Sequence, residues 1–185
     1  MNVYLKNFIR QTFENRGKAL DLGAGGMRDV AWLKRGGWRA WGVDIKTGVD
    51  LENVYLSPDR PFDLVFSNYV LHKLRNRRNL IETARRNLKK DGWFFLHTFD
   101  RSDKNSSSAL TVATVRSLLR SGFKKVSVRK FLLYDNEPGH KHWHVILEVR
   151  AQRSSENKKV RSSLSRLVSK QVKKNQRAPV PRSPS

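Results

Sequence analysis

The sequence predicts an α/β fold, in which a seven-stranded, mostly parallel sheet has helices on both faces and an antiparallel strand at its C-terminal end. Two observations predict this fold. Between residues 18 and 123, apolar runs alternate with segments of helical periodicity, as in sheets whose parallel strands are joined by helices. Two further apolar runs, over residues 124–135 and 140–151, then follow each other without a helix between them, which indicates an antiparallel pair.

The first elements already show the alternation. The chain begins with an amphipathic helix, because four apolar residues between Leu5 and Phe13 recur at helical spacing. "KALDL" (18–22) is a strand, "RDVAWLKRGG" (28–37) is a helix that ends at a glycine pair, and "WRAWGVDI" (38–45) is the second strand.

The middle of the chain continues in the same way. "FDLVFSN" (62–68) and "WFFLHTF" (93–99) have the apolar content of buried strands. The segments 78–92 and 111–123 have helical periodicity, and each is stopped by a glycine near its end. The segment 48–56 is short and polar for a strand, and the sheet reaches seven strands when it is included.

Composition favours one domain with an extension. The chain has 185 residues, which suits one domain better than two. The absence of Cys excludes disulfides and cysteine metal sites and is compatible with a reducing compartment. No apolar run reaches the length of a membrane span, and the N-terminus lacks the apolar core of a signal peptide. We therefore expect a cytoplasmic protein.

Basic residues are concentrated in a C-terminal tail. The formal net charge is +22, and from Arg153 onward ten Lys and Arg stand against one acid. We predict a domain over residues 1–152 and a largely disordered basic tail over residues 153–185, which is rich in Ser and has no aromatic residue. Apolar residues at helical spacing favour an amphipathic helix near 156–174. The charge attracts a polyanion such as nucleic acid, binds an anionic membrane surface through the same helix, or serves solubility alone.

A glycine-rich turn follows the first strand, in "DLGAGG". The dinucleotide pattern G-x-G-x-x-G is excluded, because its third glycine position holds Arg28. Instead, Asp21 precedes Gly23 by two residues, and Asp44 follows Gly23 by 21 residues, at the end of the second strand. An acid at that distance can accept hydrogen bonds from ribose hydroxyls. Asp21 fits a ligand that carries an ammonium group.

Four stretches, in this order, resemble the class I S-adenosylmethionine-dependent methyltransferases: "ALDLGAGG", "WGVDI", "FDLVFSNYVLHKL" and "LKKDGWFFL". The resemblance covers roughly residues 15–150 and implies a Rossmann-like sheet with S-adenosylmethionine as the cofactor. Within this superfamily, "DLGAGGMRDVAWL" and "NEPGHKHWHVILEVRAQR" resemble the small tellurite-resistance-type methyltransferases.

The resemblance implies cofactor roles for seven residues. Gly23 and Gly25 correspond to the turn beside the methionine part of the cofactor, and Asp21 corresponds to the acid near its amino group. Asp44 corresponds to the acid that binds the ribose. The remaining residues flank the adenine or lie at the mouth of the site: Asp50, Leu51 and Asn68. Met27 stands where the family often has a third glycine, and a side chain at that point would narrow the pocket.

Methyl transfer from a sulfonium depends mainly on positioning the nucleophile in line, so the catalytic residue is left unassigned. A base helps an alcohol or amine acceptor, whereas a soft anion such as a thiolate or reduced chalcogen needs none. The candidates near the mouth also have simple packing or capping explanations: Tyr69, His72 and His142, and beside them His97, Asp100 and Arg101. "SNYV" lacks the two prolines of the Asn-Pro-Pro-Tyr motif, which argues against enzymes that methylate amino groups of nucleobases or glutamine.

Three histidines alternate in "HKHWH". In a strand, His140, His142 and His144 share one face, and neighbours on that face are about 7 Å apart. Two of them could ligate a transition metal, but no fourth ligand is evident. We therefore predict no metal site and expect these histidines to line the acceptor pocket.

Three functions remain open from the sequence. A small-molecule methyltransferase is favoured, because the domain is compact and has no inserted substrate module. The basic surface favours instead an RNA methyltransferase that docks on nucleic acid. The third alternative is a non-catalytic protein that keeps the cofactor fold and binds nucleic acid through its tail.

Overall fold

The computed structural model describes residues 2–136 and 141–154, and within them the chain forms four α-helices and six strands. The helices are α1 (Val3–Thr12), α2 (Arg28–Arg35), α3 (Arg77–Asn87) and α4 (Val112–Leu119). The strands are β1 (Lys18–Leu22), β2 (Arg39–Val43), β3 (Phe62–Asn68), β4 (Leu88–Phe99), β5 (Phe123–Asp135) and β6 (His142–Arg153).

The six strands form one sheet in the order β2-β1-β3-β4-β6-β5. The neighbours β2 and β1, β1 and β3, and β3 and β4 are parallel. β6 is antiparallel to both of its neighbours, β4 and β5. The predicted mostly parallel α/β sheet with an antiparallel C-terminal strand is therefore confirmed, and β6 is that strand.

The prediction of seven strands is wrong, because the polar segment 48–56 forms no strand and contains turns at Gly48 and residues 51–52. Gly48 has a left-handed backbone (φ 83), and the Asp50 carboxylate accepts a hydrogen bond from the Glu52 N–H at 2.9 Å. These local bonds use backbone groups that a strand would give to a neighbour.

The predicted helix over 78–92 is shorter than expected. It ends at Asn87, and Leu88 already has an extended backbone (φ −71, ψ 147). Leu88 is paired with Phe62 at the start of β3, so sheet pairing replaces the last helical turn.

Helices cover both faces of the sheet, and each face has its own apolar core. On one side, α1 and α2 bury their apolar residues against alternate residues of the central strands: Leu5, Phe8, Ile9, Val30 and Leu33 with Leu64, Phe66 and Phe95. On the other side, α3 and α4 pack against the residues between these: Leu80, Ile81, Ala84, Val115 and Leu119 with Val65, Phe94 and Leu96. The period of two along each strand thus sorts the side chains between the two cores.

The carboxyl ends of β1, β2, β3 and β4 lie at one edge of the sheet, because these strands are parallel. β6 begins at the same edge, since Ile146 pairs with Phe99 at the end of β4. Loops at this edge are where open α/β sheets bind their ligands.

β6 extends to Arg153, one residue past the predicted end of the domain. The tail from residue 155, with the helix predicted near 156–174, lies outside the described residues. Among the helices of residues 2–136 and 141–154, none is long and apolar enough to cross a membrane.

Candidate active site

A cavity of about 860 Å³ opens at the carboxyl edge of the parallel strands. Its walls come from the start of α1, the turn between β1 and α2, the end of β3, and the ends of β5 and β6 that meet this edge. Within its walls lie carboxylates, aromatic rings and two histidines, including Asp21, Asp29, Tyr69, Tyr134, His142 and His144.

The glycine turn has the backbone geometry that explains its composition. Gly23 and Gly25 have positive φ values of 87° and 48°, which glycine adopts without a steric penalty. The N–H groups of Gly23 and Ala24 donate to the Val43 carbonyl at 2.8 and 3.0 Å. This fixes the turn against the end of β2.

Asp44 and the glycine turn are joined by a hydrogen bond. The Gly25 N–H donates to Asp44 Oδ2 at 3.0 Å, and the Lys46 N–H donates to Asp44 Oδ1 at 3.1 Å. Asp44 and the glycine turn, which the sequence relates by their spacing, are therefore in contact. The cavity walls include Gly23 and Gly26 but not Gly25 or Asp44.

Met27 does not narrow the cavity. Its backbone has the left-handed conformation of a glycine (φ 59), and its side chain packs over Gly42 of β2, where its sulfur would lie 2.5 Å from a Cβ built on Gly42. Met27 therefore belongs to the core between α2 and the sheet.

Asp21 is the most unusual side chain of the site. It is only 3% exposed, it lines the cavity, and its Oδ1 has no hydrogen-bond partner among the described residues. Burial raises the pKa of Asp21 well above its ordinary value, and the nearby Asp29 and Asp44 carboxylates raise it further. A buried oxygen without a partner is costly, so this position favours a ligand that brings a hydrogen-bond donor or a positive charge.

Asp50 and Leu51 lie outside the cavity walls. Asp50 is exposed, and its carboxylate binds the Glu52 N–H. Leu51 is 5% exposed and belongs to the core below α3.

Asn68 is held at the cavity by two partners. Its amide donates to Asp29 Oδ2 at 2.9 Å, and its Oδ1 accepts from Asn2 Nδ2 at 3.0 Å. Asn2 also caps α1, since its Oδ1 accepts from the N–H groups of Tyr4 and Leu5. One side chain thus ties the start of α1 to the end of β3.

His97 is buried beside this network and does not line the cavity. Its Nδ1 lies 3.0 Å from Asn2 Nδ2, so it accepts that hydrogen bond, and its Nε2 then donates to Glu148 Oε2 at 3.1 Å. Burial lowers the pKa of His97, against the opposing effect of the Glu148 carboxylate. His97 is therefore a neutral structural group.

Tyr69 lines the cavity and has a left-handed backbone (φ 59), which is uncommon for an aromatic residue and occurs at functional sites. Its ring stacks on Phe99 with centroids 5.1 Å apart. Burial raises the pKa of the Tyr69 hydroxyl, and Tyr4, Asp135 and Asp29 add to the effect. The hydroxyl therefore stays protonated and can donate a hydrogen bond but cannot act as a base.

The other predicted candidates lie beside the cavity. His72 is outside its walls, and burial, with Lys73 and Arg77, lowers the pKa of His72 to about 4. Asp100 is paired with Lys130 at 2.9 Å, and Arg101 is exposed. None of these three forms part of the cavity walls.

His142 and His144 both line the cavity, with ring centroids 4.5 Å apart, while His140 lies outside the described residues. Within those residues, no group of three or more His, Cys, Asp or Glu is arranged to hold a metal ion. His144 Nδ1 lies 2.9 Å from Asp103 Oδ2.

Sequence reasoning missed four polar residues of this region: Asn2, Asp29, Asp103 and Glu148. Only Asn2 has a local signal, because an Asn directly before an apolar-periodic segment is typical of a helix N-cap. The others act through partners that are distant in the chain, such as the pair of Asp103 and His144, which are 41 residues apart.

Comparisons with known proteins agree with this geometry. A family model described as "Methyltransferase domain" matches residues 3–148. No curated protein sequence matches the chain.

Solved structures share the fold at low sequence identity. An S-adenosylmethionine-dependent methyltransferase from Methanosarcina mazei is 15% identical with a TM-score of 0.66, over 80% of this chain and 98% of that one. One from Mesorhizobium loti is 20% identical with a TM-score of 0.60, over 80% and 96%. The Burkholderia thailandensis 1,6-didemethyltoxoflavin-N1-methyltransferase, solved with 1,6-didemethyltoxoflavin and S-adenosylhomocysteine, is 19% identical with a TM-score of 0.62, over 80% and 76%.

Proposed function

The chain belongs to the methyltransferase domain family, and from this premise we propose that it transfers a methyl group from S-adenosylmethionine to a small-molecule acceptor. The observation that carries the proposal is the buried Asp21 carboxylate, which lines the cavity beside the glycine turn and lacks a partner for Oδ1 among the described residues. The ammonium group of the cofactor's methionine part would supply both the missing donor and the opposite charge.

The surrounding residues fit the rest of the cofactor. Asp44 is held at the turn by Gly25, and its carboxylate oxygens have further lone pairs for ribose hydroxyls. A Cβ added at Gly25 or Gly26 would meet nothing within 4 Å, so the backbone of the turn is open to close approach of the methionine part. When bound, the cofactor supplies a methyl group on a sulfonium, which is already activated for displacement.

The acceptor is proposed to be small because of the cavity. Its volume of about 860 Å³ lies in the range of pockets that enclose small molecules, and aromatic rings of α1, β4, β5 and the turn after β3 form part of its walls. One protein that shares the fold, the 1,6-didemethyltoxoflavin-N1-methyltransferase, was solved with 1,6-didemethyltoxoflavin bound. The narrower resemblance to tellurite-resistance-type enzymes would make the acceptor a soft anion, and it remains a prediction from sequence.

A second candidate rests on charge. The net charge of +22 favours encounter with a polyanion, so an RNA methyltransferase docked through its basic surface is the alternative. The non-catalytic alternative predicts cofactor binding without transfer to any acceptor.

The test combines binding with transfer. Calorimetry should show S-adenosylmethionine binding that falls about tenfold or more in Asp44→Ala, because a lost hydrogen bond to a charged group is worth about 1.5–3 kcal/mol. The control Glu14→Ala removes an exposed carboxylate beyond the far end of α1 and should bind as the wild type does.

Methyl-labelled cofactor is then incubated with cell extract, and the label is followed in small molecules, RNA and protein. Label in the small-molecule fraction supports the proposal, and label in RNA supports the second candidate. Equal cofactor binding by the wild type and Asp44→Ala, or no binding at all, would contradict the assignment of the cofactor site.

A further inference from the structure

We propose that His144, oriented by Asp103, is the catalytic base that removes a proton from the methyl acceptor, and that the acceptor therefore presents an O–H or N–H group on a planar ring. This inference rests on the proposed methyltransferase function and assigns a residue and an acceptor class to the same cavity.

Asp103 lies where backbone groups hold its carboxylate in place. Its side chain is fully buried, and its Oδ1 accepts from the Asn105 N–H at 2.8 Å. Its Oδ2 accepts from the Val145 N–H at 2.6 Å and lies 2.9 Å from His144 Nδ1. Both oxygens of Asp103 thus accept hydrogen bonds from backbone N–H groups, and a carboxylate oxygen acts as an acceptor toward a ring nitrogen, so Nδ1 of His144 carries the proton.

The other ring nitrogen of His144, Nε2, is available to a ligand. With the proton on Nδ1, Nε2 of a neutral imidazole has a free lone pair. Among the described residues no hydrogen bond reaches Nε2, and His144 lines the cavity. This arrangement of a carboxylate, an oriented imidazole and an open site is the general pattern of an activated base.

Aromatic contacts hold His144 in the cavity wall. The His144 ring packs on Phe99 at 4.6 Å between centroids, and Phe99 in turn stacks on Tyr69 at 5.1 Å. The base therefore lies two ring contacts from Tyr69, which follows the end of β3, and it lines the same cavity as the glycine turn.

Another histidine–carboxylate pair among the described residues, that of His97 and Glu148, shows the contrast. His97 bonds Glu148 in a similar way, but both of its ring nitrogens are engaged, by Asn2 and by Glu148, and the residue is completely buried. Of the two pairs, only that of Asp103 and His144 offers a basic nitrogen to a ligand.

The acceptor class follows from the base and the walls. A thiolate or reduced chalcogen is already anionic and would gain nothing from a base, whereas an O–H or N–H acceptor must lose a proton. Four aromatic side chains form part of the walls, which suits an acceptor that carries a ring: Tyr4, Tyr69, Phe99 and Tyr134. In the step itself, the acceptor lone pair forms the bond to the methyl carbon, the carbon–sulfur bond breaks with its electrons going to sulfur, and the acceptor proton passes to Nε2 and then to solvent.

The test uses the full-length protein with ¹³C-methyl-labelled cofactor and the small-molecule fraction of cell extract. The variant His144→Gln keeps a donor for Asp103 but has no basic nitrogen, and it should transfer about 10² times more slowly or worse, with unchanged cofactor affinity in calorimetry. The matched comparison His142→Gln removes the neighbouring imidazole and should lose less. The shift of the transferred methyl signal identifies the atom that received it, and an O-methyl or N-methyl product is expected.

A second readout does not depend on turnover. Long-range ¹H–¹⁵N correlation on the protein should show His144 protonated at Nδ1, and Asp103→Asn, which can donate to Nδ1, should move the proton to Nε2. A proton on Nε2 in the wild type, transfer by His144→Gln at the wild-type rate, or an S-methyl product would each overturn the proposal. Failure of the wild type to bind the cofactor or transfer methyl would instead refute the proposed function, so the two failures are distinguishable.

Discussion

The buried carboxylate of Asp21 suits a cationic ligand but lowers the stability of the unliganded protein. Burial and the carboxylates of Asp29 and Asp44 raise the pKa of Asp21 in the native state. Above pH 3.8, its ordinary pKa, the unfolded chain therefore releases the Asp21 proton while the native state still holds it. Stability of the unliganded protein therefore falls as the pH rises from that value through the raised native pKa. The charge that would bind an ammonium group destabilises the empty site.

Asp21→Asn tests this conflict. The neutral amide should stabilise the unliganded protein at pH 7 by about 1 kcal/mol, or about 2–4 °C in melting temperature, while S-adenosylmethionine affinity falls about tenfold or more. The gain in stability should shrink as the pH falls through the raised native pKa of Asp21 toward 3.8, because the wild-type side chain then holds its proton in both states. Thermal melts across pH and calorimetry measure both effects, and a variant that is less stable but binds normally would refute the assignment.

His72 makes an opposite contribution to the pH dependence of stability. Burial and neighbouring cations lower its pKa from 6.5 to about 4, so the unfolded chain binds a proton that the native state refuses. Its contribution is present above pH 6.5 and is lost as the pH falls toward about 4.

As the pH falls from 7 to 4.5, the melting temperature of the wild type should therefore fall toward that of His72→Gln or below it, because only the wild type loses the contribution of His72. His97 titrates in the same direction but is present in both proteins. A melting-temperature difference that stays constant with pH would show that His72 is not buried as described.

At the scale of elements, the turn between β1 and α2 contains one glycine that its conformation requires, Gly23, and one that alanine could replace, Gly26. Gly23 combines a positive φ of 87° with a Cβ position that overlaps the Val70 side chain. At Gly26, an added Cβ meets nothing within 4 Å and the backbone is not left-handed.

Gly23→Ala should therefore destabilise the protein by about 2 kcal/mol or more, from backbone strain and overpacking together. Its matched control Gly26→Ala should stay within about 0.5 kcal/mol of the wild type. Urea unfolding with a common slope measures both, and equal loss in the two variants would show that the turn does not have this conformation.

Elements and their order could be predicted from the sequence because hydrophobic periodicity is local. The turn with Asp21 was predictable for the same reason, since all of its residues fall in one short stretch. The error at 48–56 arose where polar residues use their backbone bonds locally, and Leu88 left its helix because of a strand 26 residues earlier. The pair of Asp103 and His144 depends on the register of β6, which no local pattern encodes.

At the scale of the whole molecule, the charge of the site opposes the charge of the chain. The net charge is +22, yet Asp21, Asp29 and Asp135 line the cavity against Arg28 and Lys73. The overall field would repel a cationic cofactor, and the carboxylates of the cavity would weaken that repulsion locally. Basic surface and acidic cavity are therefore suited to different ligands.

The composition of the basic tail predicts how it would bind nucleic acid. Residues 155–185 carry nine Lys and Arg against one Glu and no aromatic residue, so binding to nucleic acid should be electrostatic and indifferent to base sequence. Five phosphate contacts on duplex DNA would give a slope of about −4 to −5 in log affinity against log salt.

Replacing the nine basic residues by Gln should remove most of that slope. The matched control is a tail of the same composition in scrambled order, which keeps the charge but not the helical spacing of its apolar residues, and its slope should equal that of the wild type because counterion release depends on the number of charges that meet phosphates. Binding assays from 50 to 200 mM salt on duplex DNA, structured RNA and anionic vesicles measure the slopes. Loss of binding in the scrambled tail would show that an amphipathic helix, rather than charge alone, makes the contact, and loss confined to vesicles would identify a membrane surface as its partner.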